Sequence, residues 1–408
     1  MRSSSSAGSS LLAEKCARIA TEGAGKAAAR GTFGVGGLLI ENNTGRVLKK
    51  ALNRVISENA IDPTAHVEKQ LVDWYFSRRK ALPPAAGMTI ISSLDPCIMC
   101  TGAILGAGLG VIHIADDPEC GVSCRGHNDL TTLPAELRQQ KAASFSTFGL
   151  RGKRAFAGPQ DSIFSRSEID PLFEKRSTRA FTSSLGRVRG RINKNWISPD
   201  CLENPRLLAK NKPSSHIVKT VRRYNPEAFS EKHTLEQDAP GAALGRVLVE
   251  KAEESYRNTG SLFNSACIID PFGNILLSAG GANSVEQTPL LDVMRRYYSL
   301  ASDVGKDGRR YLAHPKYCKI AILFGPARDP TGFMEIGALG SFFEGKLAKH
   351  GQLEYVLPRQ DASELADTLR NLPPFYSKTI NLKNAIRQTR DGALVEFCGK
   401  AVAKRNRM

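Results

Sequence analysis

A segment near the first third of the chain returns near its end. DPCIMCTGAILG at 95–106 is echoed by DPTGFMEIGALG at 329–340, with Asp, Pro, Leu and Gly at matching places. A second echo pairs WYFS at 74–77 with RYYS at 296–299. The order of predicted elements around them also repeats. In the first half, an Ala-rich helix over 11–29 precedes two short apolar runs, Phe33 to Ile40 and Val47 to Leu52. The turn Asn42-Asn43-Thr44-Gly45 joins these runs as a hairpin. Pro63, capped by Asp62, opens a helix through His66 to about Lys80, which Pro83-Pro84 ends. A buried strand follows at Met88 to Leu94, then a helix from Pro96 to about Leu109 and a strand at Val111 to Ala115. In the second half the series reads helix 241–257, hairpin 265–269 and 275–278, helix 289–300, strand 320–324, helix 330–343. Helices alternating with strands around one sheet make a layered α/β domain. The pattern predicts two such α/β/α domains, each a mixed sheet flanked by helices, the second a copy of the first. A length of 408 residues fits two cores better than one. The expected divisions are 1–137, a connector at 138–240, and 241–408.

The connector differs in composition. From Arg138 to Arg223 there are 19 Lys and Arg against 6 Asp and Glu, a net +13 of the chain's +17. Such a cluster suits a polyanion, because neutralising phosphates releases counterions. Arg187, Arg189, Arg191 and Lys194 are the expected nucleic-acid contacts. Phe145, Phe148, Phe156, Phe164, Phe173, Phe181 and Trp196 are interleaved with the basic residues. Spaced aromatics can stack unpaired bases. They can equally anchor a connector onto the two domains.

The chemistry concentrates in DPTAHVE at 62–68 and DPCIMC at 95–100. One imidazole and two thiolates, from His66, Cys97 and Cys100, suit Zn2+ and leave a fourth tetrahedral position for water. Cys97 and Cys100 stand one turn apart at a helix N-terminus, whose dipole favours thiolates. Glu68 is placed to take a proton from the attacking water and return it to the ring nitrogen and the leaving amine. A site closed by a fourth protein ligand would be structural instead. Cys120 and Cys124 are the available fourth ligands, although core packing is their simpler use. His113 and His127 could face the same cleft, or be ordinary strand and loop histidines. The spacing His-x-Glu followed by Pro-Cys-x-x-Cys is the signature of zinc nucleobase deaminases.

These residues resemble the cytidine-deaminase superfamily, and within it the bacterial tRNA-adenosine deaminases and their two-subunit eukaryotic relatives. The resemblance covers about 33–127 and rests on NRV…DPTAHVE at 53–68 and DPCIMCTGAI at 95–104. It implies substrate contacts from Asn53, from the backbone at Ala65, and from the turn at Cys97 and Ile98. Asp95 replaces the family's usual Glu before Pro-Cys, and Gly106-Ala107-Gly108 replaces an Arg-rich strand start. Guanine deaminases of the superfamily share DPTAHxE and PCxMC, so the motif fixes the chemistry better than the base. The second half resembles a degenerate copy. The two echoes place Thr288 and Leu290 where His66 and Glu68 stand, and Thr331 and Met334 where the cysteines stand. One zinc per chain is therefore expected.

The resulting expectation is a deaminase acting on RNA, tRNA above all, or on single-stranded nucleic acid, converting adenosine to inosine. The alternative is a metabolic deaminase of a free base such as guanine, and a third class is a binding module that keeps its zinc. The chain would act as a monomer with an internal pseudo-dimer, or as a higher homo-oligomer. No stretch approaches the roughly 20 apolar residues of a membrane helix. MRSSSSAGSS has no apolar core of a secretory signal. With nine cysteines, an odd number, the chain reads as reduced, intracellular and cytoplasmic.

Overall fold

The computed structural model describes residues 3–57, 60–122, 135–194, 196–235, 240–260, 263–281, 284–325, 329–344, 352–357, 362–405 and 407. In the first half, α1 (Ser3–Ala29) leads into the hairpin of β1 (Gly36–Glu41) and β2 (Val47–Leu52). Next come α2 (Val67–Arg78), β3 (Met88–Leu94), α3 (Ile98–Ala107), β4 (Gly110–Ala115), α4 (Ala135–Ser144) and β5 (Phe145–Thr147). The sheet order is β2-β1-β3-β4-β5. β1 is antiparallel to β2 and β3, whereas β3, β4 and β5 run parallel.

The connector is built rather than loose. A small ladder of β6 (Gly149–Leu150) and β7 (Glu168–Ile169) leads to the long α5 (Pro171–Lys194), then α6 (Pro205–Asn211) and α7 (His216–Tyr224). The second half comprises α8 (Gly241–Thr259), β8 (Ser265–Ile269), β9 (Ile275–Gly280), α9 (Pro289–Asp303) and α10 (Gly305–Gly308). It continues with β10 (Lys319–Phe324), α11 (Pro330–Phe343), β11 (Leu353–Leu357), α12 (Ala362–Arg370), α13 (Leu382–Ala385), β12 (Ile386–Gln388) and α14 (Gly392–Arg405).

Read from its hairpin edge, the second sheet runs β9-β8-β10-β11-β12, the same order with the same strand directions. Even the hairpin irregularity recurs, between Leu39 and Ile40 in one copy and Ile268 and Ile269 in the other. Ladder partners then align the copies across each sheet. The row Leu39, Ile90, Val111, Phe145 has its counterpart in Ile268, Ile320, Leu353, Ile386. All eight side chains point into a single core shared by both halves. Successive strand residues face opposite sides, so their neighbours point outward. Leu38, Ile40, Ile91, Ile112 and Ile114 pack against Ala13, Cys16, Ala17 and Ala20 of α1. Cys267, Ile269, Ala321, Leu323 and Val356 pack with Leu244 and Leu248 of α8 and Leu394 and Cys398 of α14.

Between the inner faces, α3 lies on α11. A Cβ on Gly102 would stand 2.4 Å from the Met334 nitrogen, and one on Gly337 would stand 2.1 Å from the Met99 nitrogen. Each glycine thus meets the backbone three residues before the other, as a pseudo-two-fold requires. That contact aligns Gly102 with Gly337, so Cys97 corresponds to Gly332 and Cys100 to Glu335. The sequence echo, which pointed to Thr331 and Met334, is off by one residue.

Three further expectations change. The helix expected from Pro63 starts at Val67, with His66 as its extended N-cap. Asp62 instead turns the chain, its side chain accepting from the Thr64 N–H and hydroxyl. β5 completes the first sheet from within the stretch assigned to the connector. Phe145, Phe148, Phe164 and Phe173 are core residues, and Trp196 stacks on Tyr297 at 6.2 Å, so anchoring accounts for these aromatics. Among the described residues no helix is long and apolar enough to cross a membrane.

The helix contact has a direct test. Gly102→Ala and Gly337→Ala each push a Cβ into rigid backbone, and each is expected to destabilise the chain by about 3 kcal/mol or more. Gly186→Ala, at a position with open space around it, should leave the melting temperature unchanged or raise it slightly. Thermal unfolding of the three variants reads this out.

Candidate metal centre and substrate cavity

His66, Cys97 and Cys100 bring one nitrogen and two sulfurs within 4.8 Å of one another, the only group of three or more His, Cys, Asp or Glu among the described residues that could hold an ion. The fold places them by helix ends: His66 is the N-cap of α2 and Cys97 the N-cap of α3. The Cys97 Sγ lies 3.4 Å from His66 Nδ1. Both thiols are buried. Cys97 is drawn well below the ordinary thiol range by a hydrogen bond from Cys100 and, against the cost of burial, by His66. Burial, then the neighbouring Cys97 sulfur, pushes Cys100 the other way. Burial should depress the His66 imidazole, yet the Cys97 thiolate raises it to about 9. One imidazole and two thiols gathered this closely suit Zn2+, which would be held by both sulfurs as thiolates and by a deprotonated Nδ1.

Glu68 is buried at the start of α2, and its Oε1 accepts from the Ser92 hydroxyl on β3. Burial raises its carboxyl above the usual value, while the Ser92 hydrogen bond opposes this. In the second copy both partners become apolar. Leu290 aligns with Glu68 from the Thr288 N-cap of α9, and Ile322 aligns with Ser92 through the strand ladders. Both are buried in the shared core.

The centre opens into a cavity of about 580 Å3, counting its mouth. Asn53, His66, Glu68, Asp95 and Cys97 line it from the first domain, as do Asp117 and Cys120. The Asn53 carbonyl is already committed, accepting from Thr32 Oγ1 at 2.6 Å and from the Val55 N–H at 3.0 Å. Its amide NH2 is left to face the cavity. Burial pushes Asp117 up to about 6, against the backbone N–H groups of Cys120 and Glu119.

Seven of the eighteen lining residues come from elsewhere in the chain. Phe181, Leu185 and Arg189 of α5 form one wall, and Ser341, Glu344, Phe375 and Tyr376 of the second half form another. The Ser341 hydroxyl sits 3.2 Å from His66 Nε2. With Nδ1 given to a metal, Nε2–H would donate to Ser341, which would fix the tautomer and the ring plane of His66. Burial, then the surrounding Cys97, Cys120 and Cys100 sulfurs, push the Tyr376 phenol well up. Glu344 ends α11 in a left-handed conformation at φ 37°, where α3 ends on Gly108 at φ 70°. The strained residue buries a carboxylate that Arg189 meets at 2.7 Å.

Not every expected contact reaches the cavity. Ala65 is absent from its wall: the Ala65 carbonyl takes the Arg54 N–H and the Gln70 amide, and its own N–H goes to Asp62. Ile98 is buried beneath Gly337 in the α3–α11 contact. Arg189 is a cavity-wall residue held by Glu344 and lying 4.7 Å over the Phe375 ring, which leaves it unsuited to a phosphate contact. Arg187, Arg191 and Lys194 are exposed. His113 is buried with its Nε2 3.0 Å from Thr147 Oγ1 and is not in the cavity wall. Cys124 and His127 lie outside the described residues. Ser341, Glu344, Phe375 and Tyr376 carried no sequence signal, because they reach the site only through the packing of the second half against the first.

The family model of the cytidine and deoxycytidylate deaminase zinc-binding region matches residues 12–115. Among curated proteins, the tRNA(Ile)-lysidine synthases of two strains of Thermus thermophilus are 41% identical over 81 residues, covering 20% of this chain. The match takes in 14% of the length of those relatives. One similar solved structure comes from studies of A-to-I editing by tRNA:A34 deaminases at the wobble position of transfer RNA. It is 28% identical, covers 26% of this chain and 80% of that one, and has a TM-score of 0.24. Another is a mutant of NE0047 in complex with 8-azaguanine, 15% identical over 42% of this chain and 84% of that one, with a TM-score of 0.26.

Two measurements address the centre. Metal analysis is expected to give one zinc per chain, and Cys97→Ser to lose it together with local folding. Ser341→Ala should weaken zinc retention against a chelator by roughly 10- to 100-fold, as loss of a hydrogen bond behind a ligating histidine does, and Ser341→Thr should restore much of it.

Proposed function

We propose that this chain is a zinc-dependent deaminase of the cytidine-deaminase superfamily whose substrate is an adenine base in RNA of the tRNA type, converted from adenosine to inosine. The observation that carries this is α5. One side of the helix, Phe181, Leu185 and Arg189, lines the cavity. Along the same helix Lys175, Arg176, Arg179, Arg187, Arg191 and Lys194 are exposed and form no ion pair with the described residues. A free base has no use for such a helix. A polyanion delivering one base to the cavity does, since phosphate contacts supply affinity and orientation while the pocket chooses the base. The curated relative at 41% identity, named for a tRNA, is in keeping with this.

In this reading the Asn53 amide and the aromatic wall of Phe33 and Phe181 hold the base. His66, Cys97 and Cys100 would hold a zinc ion, which would supply the Lewis acidity that makes water nucleophilic at neutral pH. Glu68 takes one proton from the attacking water and passes it to the ring nitrogen beside the attacked carbon; it then takes the second proton from the hydroxyl now on that carbon and gives it to the amine, which leaves as ammonia as the carbonyl forms. Its burial, which favours a carboxyl that holds a proton, suits that shuttle. The second half stands where a partner subunit would, as a pseudo-enzyme that walls the cavity.

The deciding assay incubates the protein with unfractionated tRNA, free adenosine, adenine and guanine, followed by mass analysis. Inosine appearing in tRNA alone is the expected result, and turnover of free guanine without any in tRNA overturns the reading. Glu68→Gln should keep its zinc and lose at least about 100-fold in rate. Replacing Arg187, Arg191 and Lys194 together with Ala should weaken tRNA binding and flatten its dependence on salt.

A further inference from the structure

The strand end that carries Asn53 is a wall between two hollows. Asn53 faces the metal cavity, while its neighbours Leu52 and Arg54 line a second, open groove of about 1390 Å3. Five cations converge on that groove: Lys26 and Arg30 from the end of α1, Lys49 and Lys50 from β2, and Arg54. All five are exposed, and none forms an ion pair with the described residues. Two acids share the lining, Glu22 and Asp73. Asp73 is already engaged by Lys69 and Arg295. Five like charges held this close repel one another unless a polyanion fills the space between them.

The groove also holds an aromatic platform. Trp74 of α2 lies in its lining, half-buried, with Lys49 at 5.9 Å and Arg78 at 5.7 Å from the ring centre. Cations around a flat aromatic are what an unpaired nucleotide needs, a partner for its phosphate and a face for its base. Lysines on β2, the free edge of the first sheet, would also deter pairing with another strand. Edge protection does not call for Lys26, Arg30 or Arg54, which lie off that strand. The end of α1 that carries Lys26 and Arg30 also meets α5, where Arg187 donates to the Ala28 carbonyl at 3.0 Å.

We infer that this groove is a second RNA site, in which the sugar–phosphate backbone of an unpaired segment runs along Lys26, Arg30, Lys49, Lys50 and Arg54 with a base stacked on Trp74. The inference rests on the RNA reading of the cavity and extends it to a surface on the opposite side of the Asn53 strand. It gives the substrate two holds, one on each side of that strand.

The test uses the full zinc-loaded chain and unfractionated tRNA in filter binding at four salt concentrations. The triple change Lys49→Ala, Lys50→Ala and Arg54→Ala is expected to weaken binding at low salt at least about 10-fold. It should also lower the slope of log affinity against log salt by roughly 0.7–0.9 for each phosphate no longer neutralised. Lys26→Glu with Arg30→Glu, on a different element, should do the same and guards against a local folding defect. Tryptophan emission should be quenched by tRNA in the wild type and much less so in Trp74→Phe, which retains Trp196. Wild-type affinity and slope in both groove variants, beside a clear loss in the Arg187, Arg191 and Lys194 variant, would overturn the groove and leave the RNA reading standing. An absence of salt-dependent binding in the wild type would overturn both.

Discussion

Everything at the site depends on two helices that touch through backbone. Gly102 and Gly337 let α3 and α11 approach to a distance at which no Cβ fits. α3 carries Cys97 and Cys100, and α11 carries Ser341 and ends on Glu344. The contact that joins the two cores therefore also sets how far the histidine's hydrogen-bond partner stands from the metal ligands. Shared burial reinforces it. The inner faces of both sheets drain into one hydrophobic cluster, so the halves lose apolar burial together if they separate.

The seam is electrostatic as well as apolar. Arg295 of α9 donates to Thr64 Oγ1 and reaches Asp62 and Asp73, gripping the loop that ends at His66. Lys69, fully buried beside Glu68, is paired with Asp73 and donates to the Glu286 carbonyl of the second half. Burial drives its ammonium down from the ordinary lysine range, with Asp73 opposing. Buried charges of this kind are costly to leave without a partner, so they fix the geometry of the junction more than they add to stability. The left-handed Glu344 belongs to the same economy. A non-glycine residue there carries backbone strain, and what the strain secures is a carboxylate in the cavity wall, tied to Arg189 of the connector. The two copies thus differ at matching positions: one has His66, Glu68 and Cys97, the other Thr288, Leu290 and Gly332, and the second copy supplies part of the cavity wall.

Much of this was legible in the chain. Period-two and helical patterns located most strands and helices of both halves, and the short echoes marked the repeat. Local chemistry was equally plain: a His-x-Glu at one helix start and Cys-x-x-Cys at another carry donors that suit one ion, and the fold brings the two helix ends together. The failures share a cause. β5 is three residues long and closes its sheet only by pairing with β4, so no periodicity announces it. The helix at α5 was hidden by its charge, which reads as a solvated linker until its buried residues Phe173, Ser177, Ser184, Val188 and Ile192 find a surface.

What the sequence by itself determined was the His66, Cys97 and Cys100 donor set, the glutamate beside it and the repeated α/β pattern, because each is encoded within a turn or two of helix or a single strand. Only the tertiary structure decided which residues enclose the cavity. Asn53 lies in the wall but Ala65 does not, because a neighbouring N–H and the Gln70 amide have taken the Ala65 carbonyl. Arg189 lies in the wall and not on the surface, because Glu344 reaches it from 155 residues away. Contacts of that separation depend on how two domains pack, and a pattern read along one strand or helix carries no trace of them.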